Sequence, residues 1–140
     1  MPVIRFDHAS VPTDHPEEMM AFYESMGFEI LDAEAFRSGE RPIFSIAFGD
    51  NKINVHGPDF WPREDFTLRG PTAKPGCGDI CFVWDGGLED LQAALEATGA
   101  PIEEGPVPRE GGRGGGRDMG VSIYTRDPDH NLLEFIVYED

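Results

Sequence analysis

Basic side chains are scarce in this sequence: 11 Lys and Arg stand against 27 Asp and Glu, for a formal charge of -16. A surface that negative repels phosphate backbones and anionic lipid faces, which excludes nucleic acid as a partner and argues against a membrane. Long apolar runs are missing too. No stretch approaches the ~18 apolar residues that would span a bilayer, and the opening MPVIRFDHASV has no basic start followed by an apolar segment. The expectation is a soluble, cytoplasmic protein. Cysteine is nearly absent, with only Cys77 and Cys81, four apart and without a second pair to complete a zinc site. Reduced, structural thiols are expected, Cys81 as a buried one inside an apolar run.

What is present is a folded chain of 140 residues, 39% hydrophobic with ten Phe, punctuated by 17 Gly and 12 Pro. Residues 3–11 mix apolar and polar positions like a half-buried strand closed by Pro12. Next, Asp14 followed by Glu17 has the spacing of a capping box, Pro16 suits a first helical turn, and Gly27 supplies a stop. Met19, Phe22, Tyr23 and Met26 recur at helical spacing and predict the buried stripe of that helix. Strands are predicted over 28–33, 44–48 and 52–56, with Gly49, Asp50 and Asn51 as the turn between the last two. Residues 57–76 carry four prolines and no period, which reads as a linker bearing Phe60, Trp61 and Phe66.

The order then repeats. A strand is predicted over 78–84, a helix over 88–98 stopped by Gly99, a short strand over 101–104, and strands over 121–126 and 132–138 around the turn DPDHN, in which His130 is a turn residue. The chain is therefore expected to be one α+β domain, residues 1–140, built from two βαβββ modules over 1–70 and 76–140. A four-stranded sheet with one helix cannot bury both its faces, so the two sheets are expected to pair around a cleft.

Polar residues inside otherwise apolar strands are the candidates for chemistry. His8 and Asp79 lie in the first strands of the two halves; His56 ends the last strand of one, and Glu134 sits within the last strand of the other. The separations, 48 and 55 residues, differ by an amount the second half's glycine-rich loop can absorb. Two imidazoles and two carboxylates suit a divalent ion such as Zn, Ni, Co, Mn or Fe, and a charge facing a sheet interior needs such compensation. The loop over 107–120 holds six glycines with Arg109, Arg113 and Arg117. It reads as a solvated hairpin loop or as a flap whose forked donors grip an anion over the cleft.

The runs FDHASV, AFYESMGFEI, FGDNKINVH, EEGPVPR and YTRDPDHNLLEFIVY together resemble the vicinal oxygen chelate superfamily of glyoxalases, extradiol dioxygenases and bleomycin-resistance proteins. The resemblance is nearest to its glyoxalase-domain, lactoylglutathione-lyase-like members. It implies paired βαβββ modules and a divalent metal, with His8 and Glu134 at the usual ligand sites. His56 stands where glutamate is more typical, and Asp79 where histidine is. The metal set implied is thus His8, His56, Asp79 and Glu134, with Glu134 as the proton shuttle of an enediolate mechanism and Asp79 second. Arg109, Arg113, Phe60, Trp61 and Tyr124 are the candidate substrate contacts. The resemblance implies a metal-dependent lyase acting on a small oxygen-chelating molecule, in a homodimer. The alternatives are a non-catalytic drug- or ligand-sequestering protein of the bleomycin-resistance type, and a metal-dependent dioxygenase.

Overall fold

A computed structural model describes residues 2–139. The chain divides into two compact units, Met1–Cys77 and Gly78–Asp140. Both are βαβββ-like modules, as the order of elements predicted.

The first unit runs β1 (His8–Pro12), α1 (Pro16–Ser25), β2 (Glu29–Leu31), a short helix α2 (Ala33–Arg37), β3 (Ile43–Phe48) and β4 (Asn51–His56). Its sheet has the order β1-β4-β3-β2, with β1 and β4 parallel and the other neighbours antiparallel. β1 is shorter than the sequence predicted. Pairing with β4 begins at His8 opposite Lys52, and β4 itself starts only at Asn51 after the turn, so the residues before His8 have no strand to lie against. The predicted stripe on α1 is buried: Met19, Phe22, Tyr23 and Met26 are each less than a tenth exposed. Tyr23 packs edge-on against Phe22 and Phe28, and Phe28 against Phe48. The predicted capping box did not form. The N-cap is His15, without a side-chain cap, and its backbone N–H donates to Thr13 Oγ1 at 3.0 Å. Pro16 at the first helical position needs no acceptor for a missing donor, which accounts for the helix starting one residue later than Asp14 would place it.

The second unit repeats the plan: β5 (Asp79–Val83), α3 (Leu88–Thr98), β6 (Glu104–Glu110), a glycine turn labelled α4 (Arg113–Gly116), β7 (Met119–Arg126) and β8 (Leu132–Val137). Its sheet order, β5-β8-β7-β6 with β5 parallel to β8, is the order of the first sheet. Leu91 and Leu95 of α3 are fully buried, and Gly99 in the left-handed region ends that helix. β6 is the main departure from expectation. It runs through Pro106 and Pro108 into what reads as loop, because β6 is the outermost strand and a proline on an edge forfeits no ladder bond to a second neighbour. The glycine-rich loop shrinks accordingly to 111–118.

The turn DPDHN is a buried polar knot. Asp127 accepts the backbone N–H of Asp129 and of Asn131 and the Asn131 side-chain amide, while Asn131 Oδ1 accepts the Gly78 N–H at 2.8 Å. His130 takes the left-handed conformation the turn requires, at φ 71°. The knot ties the β7–β8 turn to the start of β5.

Candidate ligand-binding face

Strand period decides which side chains of the second sheet share a face. On β8, Leu133, Phe135 and Val137 are buried on one side, which leaves Leu132, Glu134 and Ile136 on the other. Register then places Cys81, Glu134 and Tyr124 in one cross-strand row, and Val83, Ile136 and Ser122 in the next. Glu134 is central. Its Oε2 accepts the hydroxyl of the buried Ser122 at 2.6 Å. Arg109 reaches in from β6, donating from Nε to the Tyr124 hydroxyl at 3.0 Å and stacking 5.5 Å from its ring, with Glu104 as its ion-pair partner.

Cys81 is exposed on this face rather than buried as expected, because its parity matches that of Glu134. Although the residue keeps solvent contact, lost hydration and the neighbouring Glu134 carboxylate push its thiol up to about 12, with Asp79 adding to the effect. A thiol held protonated is a weak donor and a poor nucleophile.

Beside this row lies a cavity of about 720 Å³, lined in part by Cys81, Val83, Trp84, Ile136, Tyr138 and Arg113. Arg113 stacks 4.2 Å over the Tyr138 ring and pairs with Asp118 at 2.6 Å. Trp84 stands edge-on to Phe135, and its buried indole N–H has no acceptor among the described residues. The glycine-rich loop must come close to make this wall. A Cβ on Gly111 would collide with the Tyr138 hydroxyl, and one on Gly120 would sit 2.7 Å from the Ile136 side chain.

The expected metal set fares differently. His8 lies opposite Lys52, while His56 lies opposite Pro12, four residues further along the same strand pair. At about 3.3 Å per residue the two histidines stand roughly 13 Å apart along the strands, too far to bring both imidazoles onto one ion. Each has other company. His8 Nδ1 is 2.6 Å from Asp7, and the half-buried His56 ring stands edge-on to Phe60 and Phe66, its pKa lowered by burial and then by Arg69. The supposed equivalence of His56 and Glu134 is also corrected by register. The partner of Glu134 in the repeat is Asn54, whose Oδ1 accepts the Ser45 hydroxyl at 2.9 Å, and His56 corresponds to Ile136. Asp79 is exposed on the same face as Glu134, two residues before Cys81. Among the described residues no three His, Cys, Asp or Glu side chains gather into an ion-holding group. Within the first unit His8 and His56 thus stand apart along the strands, and within the second Asp79 and Glu134 share a face.

Of the expected substrate contacts, Tyr124 and Arg109 flank Glu134 and Arg113 lines the cavity. Phe60 and Trp61 belong to the first unit and are engaged within it: Phe60 stacks on Phe66 at 4.2 Å, and Trp61 donates to the Thr13 carbonyl. Cys81, Ser122, Val83, Trp84, Ile136 and Tyr138 were missed as candidates. For Cys81, Ile136 and Tyr138 the signal was available, since alternation along β5 and β8 sets them on the Glu134 side.

Residues 5–135 match the family described as the Glyoxalase/Bleomycin resistance protein/Dioxygenase superfamily. The chain is 33% identical over 136 residues to the glyoxalase domain-containing protein RDO1 of Mycosarcoma maydis, covering 96% of this chain and 68% of that protein. It is 32% identical over 139 residues to the virulence protein STM3117 of Salmonella typhimurium, covering 99% and 87% of the two chains. The crystal structure of STM3117 superposes with a TM-score of 0.81 at 30% identity, over 99% of this chain and 100% of that one. The fold alone is shared with a lactoylglutathione lyase from Agrobacterium tumefaciens (TM-score 0.68, 21% identity, 98% and 96% covered) and with TnmS3, an antibiotic binding protein from Streptomyces sp. CB03234 (0.70, 20%, 99% and 99%).

Proposed function

The chain belongs to the glyoxalase/bleomycin resistance protein/dioxygenase superfamily, and from that premise we propose that it binds and sequesters a small molecule on the Glu134 face of its second sheet. The carrying observation is the cavity of about 720 Å³ beside Glu134, walled by Val83, Ile136, Trp84 and Tyr138 with Asp85 and Arg113 as its charged groups. Small-molecule sites commonly enclose roughly 300–1,000 Å³ with this mixture of apolar walls and sparse polar anchors. Ser122 and Arg109 fix the polar edge: the first holds the Glu134 carboxylate, the second the Tyr124 hydroxyl. The protonated Cys81 thiol adds a soft, unreactive wall. One fold here serves a lyase and a binding protein alike, so the reading rests on the site, and its apolar walls with a few anchored polar groups support holding a ligand.

A second reading, lyase chemistry with Glu134 as the proton carrier, is favoured by one observation: Asp79 and Glu134 share a face, with Ser122 donating to Glu134. A homodimer is proposed with either reading, supported by Val3, Ile4 and Phe6, which lie more than half exposed ahead of β1. The test is a thermal-shift screen of small molecules, run on the protein alone and after addition of Zn²⁺, Ni²⁺, Mn²⁺ or Fe²⁺, with each hit followed by mass spectrometry. Saturable stabilisation by a compound recovered unchanged supports sequestration. Conversion of a hit moves the lyase to the front, and a flat response to the whole screen defeats both.

A further inference from the structure

We propose that the first unit has an anion site of its own, in which Arg69 and His56 hold the carboxylate of a small organic acid. Strand period sets the ground. On β4, Ile53 and Val55 are buried on the core side, which leaves Lys52, Asn54 and His56 on the other. All three carry hydrogen-bond donors, and Asn54 gives its Oδ1 to the Ser45 hydroxyl, so its amide nitrogen is the group left to donate. The corresponding positions of β8 are Leu132, Glu134 and Ile136, so the first sheet offers donors where the second offers a carboxylate.

The segment after β4 folds back onto His56. The backbone N–H groups of Phe60 and Trp61 both donate to the Gly57 carbonyl, and the stacked Phe60 and Phe66 rings meet the His56 ring edge-on at 5.5 and 5.1 Å. Arg69 is fixed in the same segment: its Nη1 donates to the Trp61 carbonyl, and its guanidinium lies 5.9 Å from the Trp61 ring. Trp61 is itself tied to the Thr13 carbonyl, so the guanidinium is held before any ligand arrives. After burial, Arg69 is what lowers the His56 pKa, which sets the cation beside the imidazole. Arg69 Nε and Nη2 and the two His56 ring nitrogens have no hydrogen-bond partner among the described residues.

The sign follows from the pairing of the arginines. Arg37, Arg41, Arg63, Arg109 and Arg126 each face a carboxylate, whereas the half-buried Arg69 makes no ion pair among the described residues, Asp59 and Glu64 of its own segment included. Its Nε and Nη2 form the fork that matches the two oxygens of a carboxylate, and the imidazole N–H supplies a third donor. A single charge suits the site better than a phosphate dianion, because a formal charge of -16 opposes every added negative charge. The Phe60 and Phe66 rings beside the donors suit the apolar body of an organic acid.

The experiment titrates the full chain with butyrate and, separately, with inorganic phosphate at neutral pH and constant ionic strength, following the Arg69 Nε–H and His56 ring signals by NMR. The same titrations, read at His56, are made on Arg69→Gln, on Arg69→Lys and on Lys74→Gln, which removes an exposed cation of the same linker. Butyrate is expected to saturate both signals together at one site per chain. Arg69→Gln should weaken it about tenfold or more, and Arg69→Lys, which keeps the charge without the fork, about threefold or more. Lys74→Gln should leave it unchanged. Absence of a saturable shift over the millimolar range overturns the site. Equal losses in Lys74→Gln and Arg69→Gln overturn it too, since attraction to any cation of the linker would then explain the binding. Phosphate binding as tightly as butyrate or tighter overturns the carboxylate as ligand class. Should Arg69→Gln fail to fold, the native titration and Arg69→Lys decide between the same outcomes.

Discussion

Replacing Glu134 by glutamine tests the central row of the face through its neighbour. In the native protein the Cys81 thiol is pushed up to about 12, first by lost hydration and next by the Glu134 carboxylate, which repels a thiolate and accepts the S–H. Glutamine keeps the shape and removes the charge. Desolvation stays, so the thiol should not return all the way; a single nearby charge accounts for roughly one to two pKa units. Each unit multiplies the thiolate fraction tenfold wherever the pH lies well below the pKa. The assay is the rate of Cys81 alkylation by iodoacetamide at pH 8 in a Cys77→Ser background, followed by intact mass. Since nucleophilicity falls somewhat as the pKa falls, the net gain should be about 3- to 15-fold for Glu134→Gln over its parent. An unchanged or slower rate would refute the reasoning, because Cys81 and Glu134 would not then share a row.

Three further outcomes follow from the same structure. His56 has a pKa lowered mainly by burial, so its folded form prefers the neutral ring; its contribution is present above its ordinary value of 6.5 and is lost as the pH falls. The urea midpoint should therefore drop more between pH 7.5 and 5.5 in the native protein than in His56→Gln, and equal slopes would contradict this. Asn131→Ala removes an acceptor from the Gly78 N–H and a donor from the buried Asp127 carboxylate, and should cost about 2–4 kcal/mol in denaturant unfolding. Gly111→Ala drives a methyl into the Tyr138 hydroxyl, and should cost about 1–3 kcal/mol while weakening ligand binding, because that ring lines the cavity.

Much of the fold was legible because it is written in periods. The α1 stripe, the alternation of β8 and the repeated order of elements are local patterns that survive folding unchanged. β6 was illegible because Pro106 and Pro108 argue against a strand unless one knows that it lies at an edge, and edge status is a property of the sheet. The site was half legible for a similar reason. Glu134, Tyr124, Arg109 and Arg113 could be picked out by residue type and motif. His56 and Glu134 looked equivalent because both close a module, yet equivalence is fixed by register, and register pairs Glu134 with Asn54. Two residues of slip along a strand keep the face and move the side chain by roughly 7 Å, enough to separate members of a metal centre.

Asn54 of the first sheet and Glu134 of the second are two drafts of one position, an amide and a carboxylate that each accept a serine hydroxyl, although Ser45 faces Asn54 directly while Ser122 reaches Glu134 from the row of Ile136. The amide draft tells an engineer where a second binding face could be written into this chain, and it tells a reader of related sequences that the position to compare across the two halves is the middle of the last strand, not its end.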